Sequence, residues 1–198
     1  MRARPSLEST VFPLAFRAWP TAVLSLALCS TCVAQAQSSW ITPDAIYTQG
    51  GAGTEVRSLG IGITWDMPWQ RSTSWGLLTS HLDFSLGGWR ITGADTFSGR
   101  RTVTQIGLTP VLRLWIQDSS KYFLEAGIGT NIISPHYQNR EKRFSTSFNF
   151  GDHIAIGLRF GPNGRDELTL RLQHFSNAGI KHPNPGENFI QVRYLRRL

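Results

Sequence analysis

Through residues 102–116, Ile106, Leu108, Leu112, Leu114 and Ile116 share one parity, and Gln105, Gly107, Thr109 and Arg113 share the other. A period of two is the mark of an extended strand whose successive side chains point to opposite faces. The same alternation recurs over residues 43–51, 55–66, 74–89, 122–133, 147–160, 166–176 and 188–198. Little between these runs carries a helical period. Eight strands separated by hairpin-scale connections imply one antiparallel meander, and eight strands form the smallest closed membrane barrel. The expected fold class is therefore all-β, an eight-stranded antiparallel transmembrane β-barrel.

The two faces decide the environment. The polar parity combines glycines with Arg113, Glu125, Arg159, Arg171 and Arg193. Small residues and mutually paired charges suit a narrow barrel interior, whereas the aliphatic and aromatic parity suits lipid. Trp65, Trp69, Trp75, Trp89, Tyr122 and Tyr194 lie near strand ends, where interfacial aromatics belong. A soluble lipocalin-like barrel would require the reverse arrangement, apolar inside. Connections at 117–120 and 161–165 are tight, and that at 67–73 is moderate. Those at 90–101, 134–146 and 177–187 are longer and share one side. In outer-membrane barrels the short turns are periplasmic and the long loops extracellular.

Residues 1–36 read as a secretory signal peptide: Arg2, Arg4 and Arg17 start it, 22–33 is apolar, and Ala34-Gln35-Ala36 is an A-x-A cleavage site. The domain is then 37–198. Both cysteines, Cys29 and Cys32, fall within the signal, so the mature chain needs no disulfide. Losing three arginines and Glu8 lowers the formal charge from +7 to +5. For an exported chain this basic excess points to phosphorylated lipid or anionic sugar, with no nucleic acid partner. Arg90, Arg100, Arg101, Arg140, Lys142, Arg143, Lys181 and His182 sit in or beside the long connections. They form either a solvated loop set or a cationic collar for phosphate groups.

Candidate chemistry lies in residues 171–189. His174 and Ser176 fall on the parity of Leu168, Leu170 and Leu172, so they point the same way from the apolar face. Two residues apart on a strand, their Cβ atoms are roughly 6–7 Å apart, within reach of one another. A turn-rich segment follows, with Gly179, Pro183, Pro185 and Gly186, and it carries the carboxylate Glu187. Histidine, serine and acid within so short a span are the parts of nucleophilic acyl transfer. Taken alone they are also compatible with hydrogen-bonded surface residues. The remaining histidines are dispersed, so no metal site and no cofactor are expected.

The run HFSNAGIKHPNPGEN, residues 174–188, resembles the PagL family of outer-membrane lipid A 3-O-deacylases. LGIGITWDMPW (59–69), FLEAGIG (123–129) and STSFNFGDHIAIGLRF (145–160) extend the resemblance in the same order over nearly all the mature chain. The resemblance implies a metal-free esterase in the outer membrane, with its site on the barrel's outer wall facing the outer leaflet. It would remove the hydroxyacyl ester at position 3 of lipid A, within lipopolysaccharide. By motif, Ser176 is the nucleophile and His174 the general base. Asn184 resembles an oxyanion-hole side chain, with support from Asn177 and the turn after it. Phe150 and Asp152 match a further F-x-D element, on lipid-facing parity. An ungapped match puts the family's acid at Asn188, with Glu187 one position early. By strand parity Asn188 points outward and Glu187 inward. A bulge after the PNPG turn would let Glu187 reach His174, and Glu187 is the expected orienter. Other classes compatible with the pattern are a non-enzymatic structural or adhesion barrel and an outer-membrane phospholipase. The oligomeric state is open between monomer and homodimer.

Overall fold

A computed structural model of the chain describes residues 42–92, 102–117 and 121–198. The signal-peptide reading of 1–36 and the cations Arg100 and Arg101 lie outside the described residues. Eight strands close into one antiparallel barrel in chain order: β1 (Ala45–Gly53), β2 (Val56–Thr73), β3 (Gly76–Ile91), β4 (Thr102–Ile116), β5 (Tyr122–Ser134), β6 (Phe148–Phe160), β7 (Asp166–Ser176) and β8 (Glu187–Arg197). β1 pairs with both β2 and β8, so no sheet edge is left open.

Alternation settles the faces as expected. Leu59, Ile61, Ile106, Leu112, Ile128, Ile154, Leu170, Leu172 and Ile190 are exposed on the outer wall. Asp83, Glu125, Glu167, Arg113, Arg171 and Arg193 are buried in the lumen. There, Arg113 Nη2 lies 2.6 Å from Glu125 Oε1 and 2.8 Å from Glu167 Oε2. Arg193 Nη1 lies 2.6 Å from Asp83 Oδ2, whose other oxygen accepts from Tyr47 Oη at 2.6 Å. Charges taken out of water are held by partners of opposite sign. Inward-facing glycines make room for this layer: a Cβ at Gly62 would collide with the Tyr47 ring, and one at Gly157 with Phe123.

Two features depart from the sequence reading. Residues 67–73 continue β2 instead of forming a connection, and a two-residue turn at Ser74 and Trp75 joins β2 to β3. The ladder breaks register between Asp66 and Gln70, around Pro68, which has no N–H to donate. Trp89 is not interfacial: it is 1% exposed, pointing into the lumen, where it packs on Tyr137, Phe144, Phe175 and Phe189. Together with Val56, Ile91, Val103 and Ile133 these rings form an apolar plug at the end of the barrel that carries the long connections.

Residues 134–147 fold over that mouth. Gln138 bridges to Arg143, the Phe144 N–H donates to Tyr137 O at 2.9 Å, and Asn139 Oδ1 accepts from Glu141 and Lys142 N–H groups. Tyr137 and Phe144 thereby enter the plug from the loop side. The loop beside the candidate site is thus anchored by a packed core.

Candidate active site on the barrel wall

β7 supplies His174 and Ser176 on the outer face, both half-buried. Its neighbours are in unbroken register: His174 faces Asp152 on β6 and Asn188 on β8, and Ser176 faces Phe150 on β6. His174 Nδ1 is 2.6 Å from Asn188 Oδ1. An amide oxygen only accepts, so the bond fits the neutral tautomer with its proton on Nδ1 and a lone pair on Nε2. No hydrogen bond joins the Ser176 hydroxyl to the ring in this structure. Such looseness is common in substrate-free hydrolases.

Glu187 is the correction. It pairs with Phe175, not His174, and is 0% exposed on the lumen side. Its Oε2 accepts from Tyr137 Oη at 3.0 Å and lies 3.2 Å from Lys142 Nζ. The expected bulge after the PNPG turn is absent: β8 starts at Glu187 in register, so strand parity prevails and sends Glu187 inward and Asn188 outward. Burial, and then the adjacent Glu187 carboxylate, hold the Tyr137 phenol well above its ordinary range, so it stays a donor. Glu187 therefore serves to tie the 134–147 loop to the start of β8.

Asn177 is 1% exposed and organises the turn after Ser176. Its Nδ2 donates to Lys181 O at 2.7 Å, Ser145 Oγ at 3.1 Å and Thr146 Oγ1 at 3.2 Å, while its Oδ1 accepts from the Gly179 N–H at 3.0 Å. Its side chain is fully engaged and supports the site mechanically. Asn184 Oδ1 accepts from the Asn177 N–H at 3.0 Å, which leaves its Nδ2 as a further donor beside the turn. Phe150 packs edge-on against Phe148, centroids 5.2 Å apart.

Two residues of the site carry more than their sequence suggests: Gly186, which reads only as a turn residue, and Tyr137, which carries no motif. Gly186 has φ 65°, and a Cβ there would come within 2.6 Å of His174 Cε1 and 3.2 Å of Nε2. It is glycine because the imidazole lies against its backbone. The signal was available in the PNPG turn, but its target was not. Tyr137 had no local signal, since its partner is fifty residues away in sequence. On the same end, Arg90, Arg143, Lys181 and His182 are exposed, and Lys142 is half-buried against Glu187. Among the described residues no group of His, Cys, Asp or Glu side chains is placed to hold a metal ion.

The family described as lipid A 3-O-deacylase (PagL) matches residues 57–197. The chain belongs to this family. It is 33% identical over 175 residues to a lipid A deacylase PagL of Bordetella bronchiseptica, covering 87% of this chain and 91% of that protein. A lipid A deacylase PagL of Pseudomonas aeruginosa is 37% identical over 168 residues, covering 84% of this chain and 90% of the relative. The crystal structure of the outer membrane enzyme PagL is similar in fold, with a TM-score of 0.66 and 29% sequence identity. That match covers 78% of this chain and 99% of the solved one. The eight-stranded transmembrane barrel is thus a family property that this chain shares.

Proposed function

We propose that the chain is an outer-membrane lipid A 3-O-deacylase that works as a serine esterase from the lipid-facing wall. The observation carrying this reading is the imidazole of His174, pinned at Nδ1 by Asn188, with Ser176 beside it and Asp152 opposite it on a largely apolar face. A structural barrel gains nothing from a polar triplet exposed toward lipid, where unsatisfied polar groups are costly. Family membership supplies the substrate class.

Acyl chains of a membrane glycolipid lie along the outer wall, so this site needs no tunnel into the lumen. The mouth with long connections faces outward, by analogy with other outer-membrane barrels. Arg90, Arg143 and Lys181, exposed around that mouth, would hold the glycolipid phosphates by charge-assisted hydrogen bonds. His174 Nε2 takes the Ser176 proton as Oγ attacks the ester carbonyl. Asn184 Nδ2 and a backbone amide of the following turn donate to the oxyanion. Collapse breaks the ester C–O bond, and the imidazolium protonates the leaving sugar oxygen. Water, deprotonated by His174, then releases the hydroxy fatty acid and restores the serine.

Mass spectrometry of lipid A from cells expressing the wild type or Ser176→Ala tests this directly. Loss of one 3-hydroxyacyl chain is expected with the wild type alone. Intact lipid A with cleaved phospholipid would make the chain a phospholipase. Intact lipids of both kinds, with both proteins folded in the membrane, would leave a structural barrel.

A further inference from the structure

In a Ser-His-acid triad one carboxylate does two things: it fixes the imidazole's tautomer and it stabilises the imidazolium. Here the group bonded to Nδ1 is the amide of Asn188, which can do the first but carries no charge. The acid next to it in sequence, Glu187, is on the lumen side and engaged by Tyr137 and Lys142. Yet His174 has a second in-register neighbour. Asp152 stands opposite it on β6, half-buried on the same outer face. Directly opposed residues of an antiparallel pair have Cβ atoms about 4.5–5.5 Å apart.

The outward residues around this pair are Phe150 and Ile154 on β6, Leu172 and Ser176 on β7, and Asn188 and Ile190 on β8. None carries a carboxyl group, so among these described residues Asp152 is the single carboxylate. At the lipid surface the dielectric is low, and a positive charge formed on His174 is felt strongly by one negative charge nearby.

We propose that orientation and charge are divided in this enzyme: Asn188 orients His174 from one flanking strand, and Asp152 stabilises its positive charge from the other. The division rests on the esterase reading above. It makes Asp152 a positioning residue acting through His174, with no contact to the ester required. It also accounts for an acid on a lipid-facing position that a membrane barrel would otherwise avoid.

The test uses the full mature barrel purified in micelles, with folding checked by heat-modifiable gel migration. Two rates are read: lipid A deacylation and labelling of Ser176 by a fluorophosphonate, with Ser176→Ala as the blank. Asp152→Asn, isosteric and uncharged, is expected to lower both rates by about 10–100-fold, as the loss of one nearby charge would. Asp152→Asn/Asn188→Asp returns a carboxylate to the imidazole from the other strand and is expected to recover at least tenfold of that loss. A folded Asp152→Asn protein within twofold of the wild type would overturn the division while leaving the esterase intact. So would a loss that Asn188→Asp fails to restore, since a purely structural role for Asp152 has no reason to respond to a charge on β8. A wild type that neither deacylates nor labels would remove the esterase reading itself, and the division with it.

Discussion

His174 has three neighbours on three sides, and each can be altered separately. Asn188 fixes Nδ1, Gly186 lies flat against the ring edge, and Asp152 faces it across the β6–β7 ladder. Gly186→Ala is expected to be the most informative small change. Its φ of 65° is costly for alanine, and the added methyl would displace the ring. A shift of about 1 Å in a catalytic group costs roughly 100-fold in rate. The check is the deacylation rate of a variant that still migrates as a folded barrel; a rate near wild type would show that the ring does not depend on this approach.

At the scale of elements, the question is which residue before Phe189 the site depends on. Glu187 and Asn188 are adjacent in sequence but serve opposite sides of the barrel wall. Asn188→Ala removes the hydrogen bond that selects the tautomer, and is expected to lower the deacylation rate about 10–100-fold. Glu187→Gln keeps that bond and still accepts from Tyr137, but loses the ion pair with Lys142. It should lower the rate by less than about tenfold, a hydrogen-bond-scale effect, while speeding proteolysis within residues 134–147. The reverse ranking of the two rates would restore Glu187 as the orienter. The long connections themselves were legible from turn residues. Their mutual anchoring, through Asn177 to Ser145 and Thr146 and through Ser145 to Lys181, was not, because it joins segments more than thirty residues apart.

For the whole molecule, stability and function draw on different layers. The lumen holds acids and arginines in close pairs, and the loop mouth is closed by the plug around Trp89. Asp83→Asn would leave Arg193 and Arg171 facing a neutral amide where a carboxylate stood. Breaking a buried pair from one side costs about 3–5 kcal/mol. Urea unfolding of the barrel in vesicles should show that loss, with the deacylation rate of the folded fraction kept. A variant as stable as the wild type would mean that the lumen charges are compensated otherwise. The site can tolerate such a change because it lies on the outer wall, separated from the lumen layer by the sheet itself.

Strand parity is a local property of extended backbone, and so the sequence by itself determined a good deal. It specified eight alternating segments, the polar lumen and apolar wall, the shared outward face of His174 and Ser176, and the opposite directions of Glu187 and Asn188. The expected bulge that would have overridden this parity did not form. Only the tertiary structure decided which residues meet across strands. That Asp152 and Asn188 flank His174, that Trp89 meets the loop rings Tyr137 and Phe144 in a plug, and that residues 134–147 fasten the turn after Ser176 all depend on inter-strand register and loop closure. These are set by hydrogen bonds and packing between segments distant along the chain, which no local periodicity encodes.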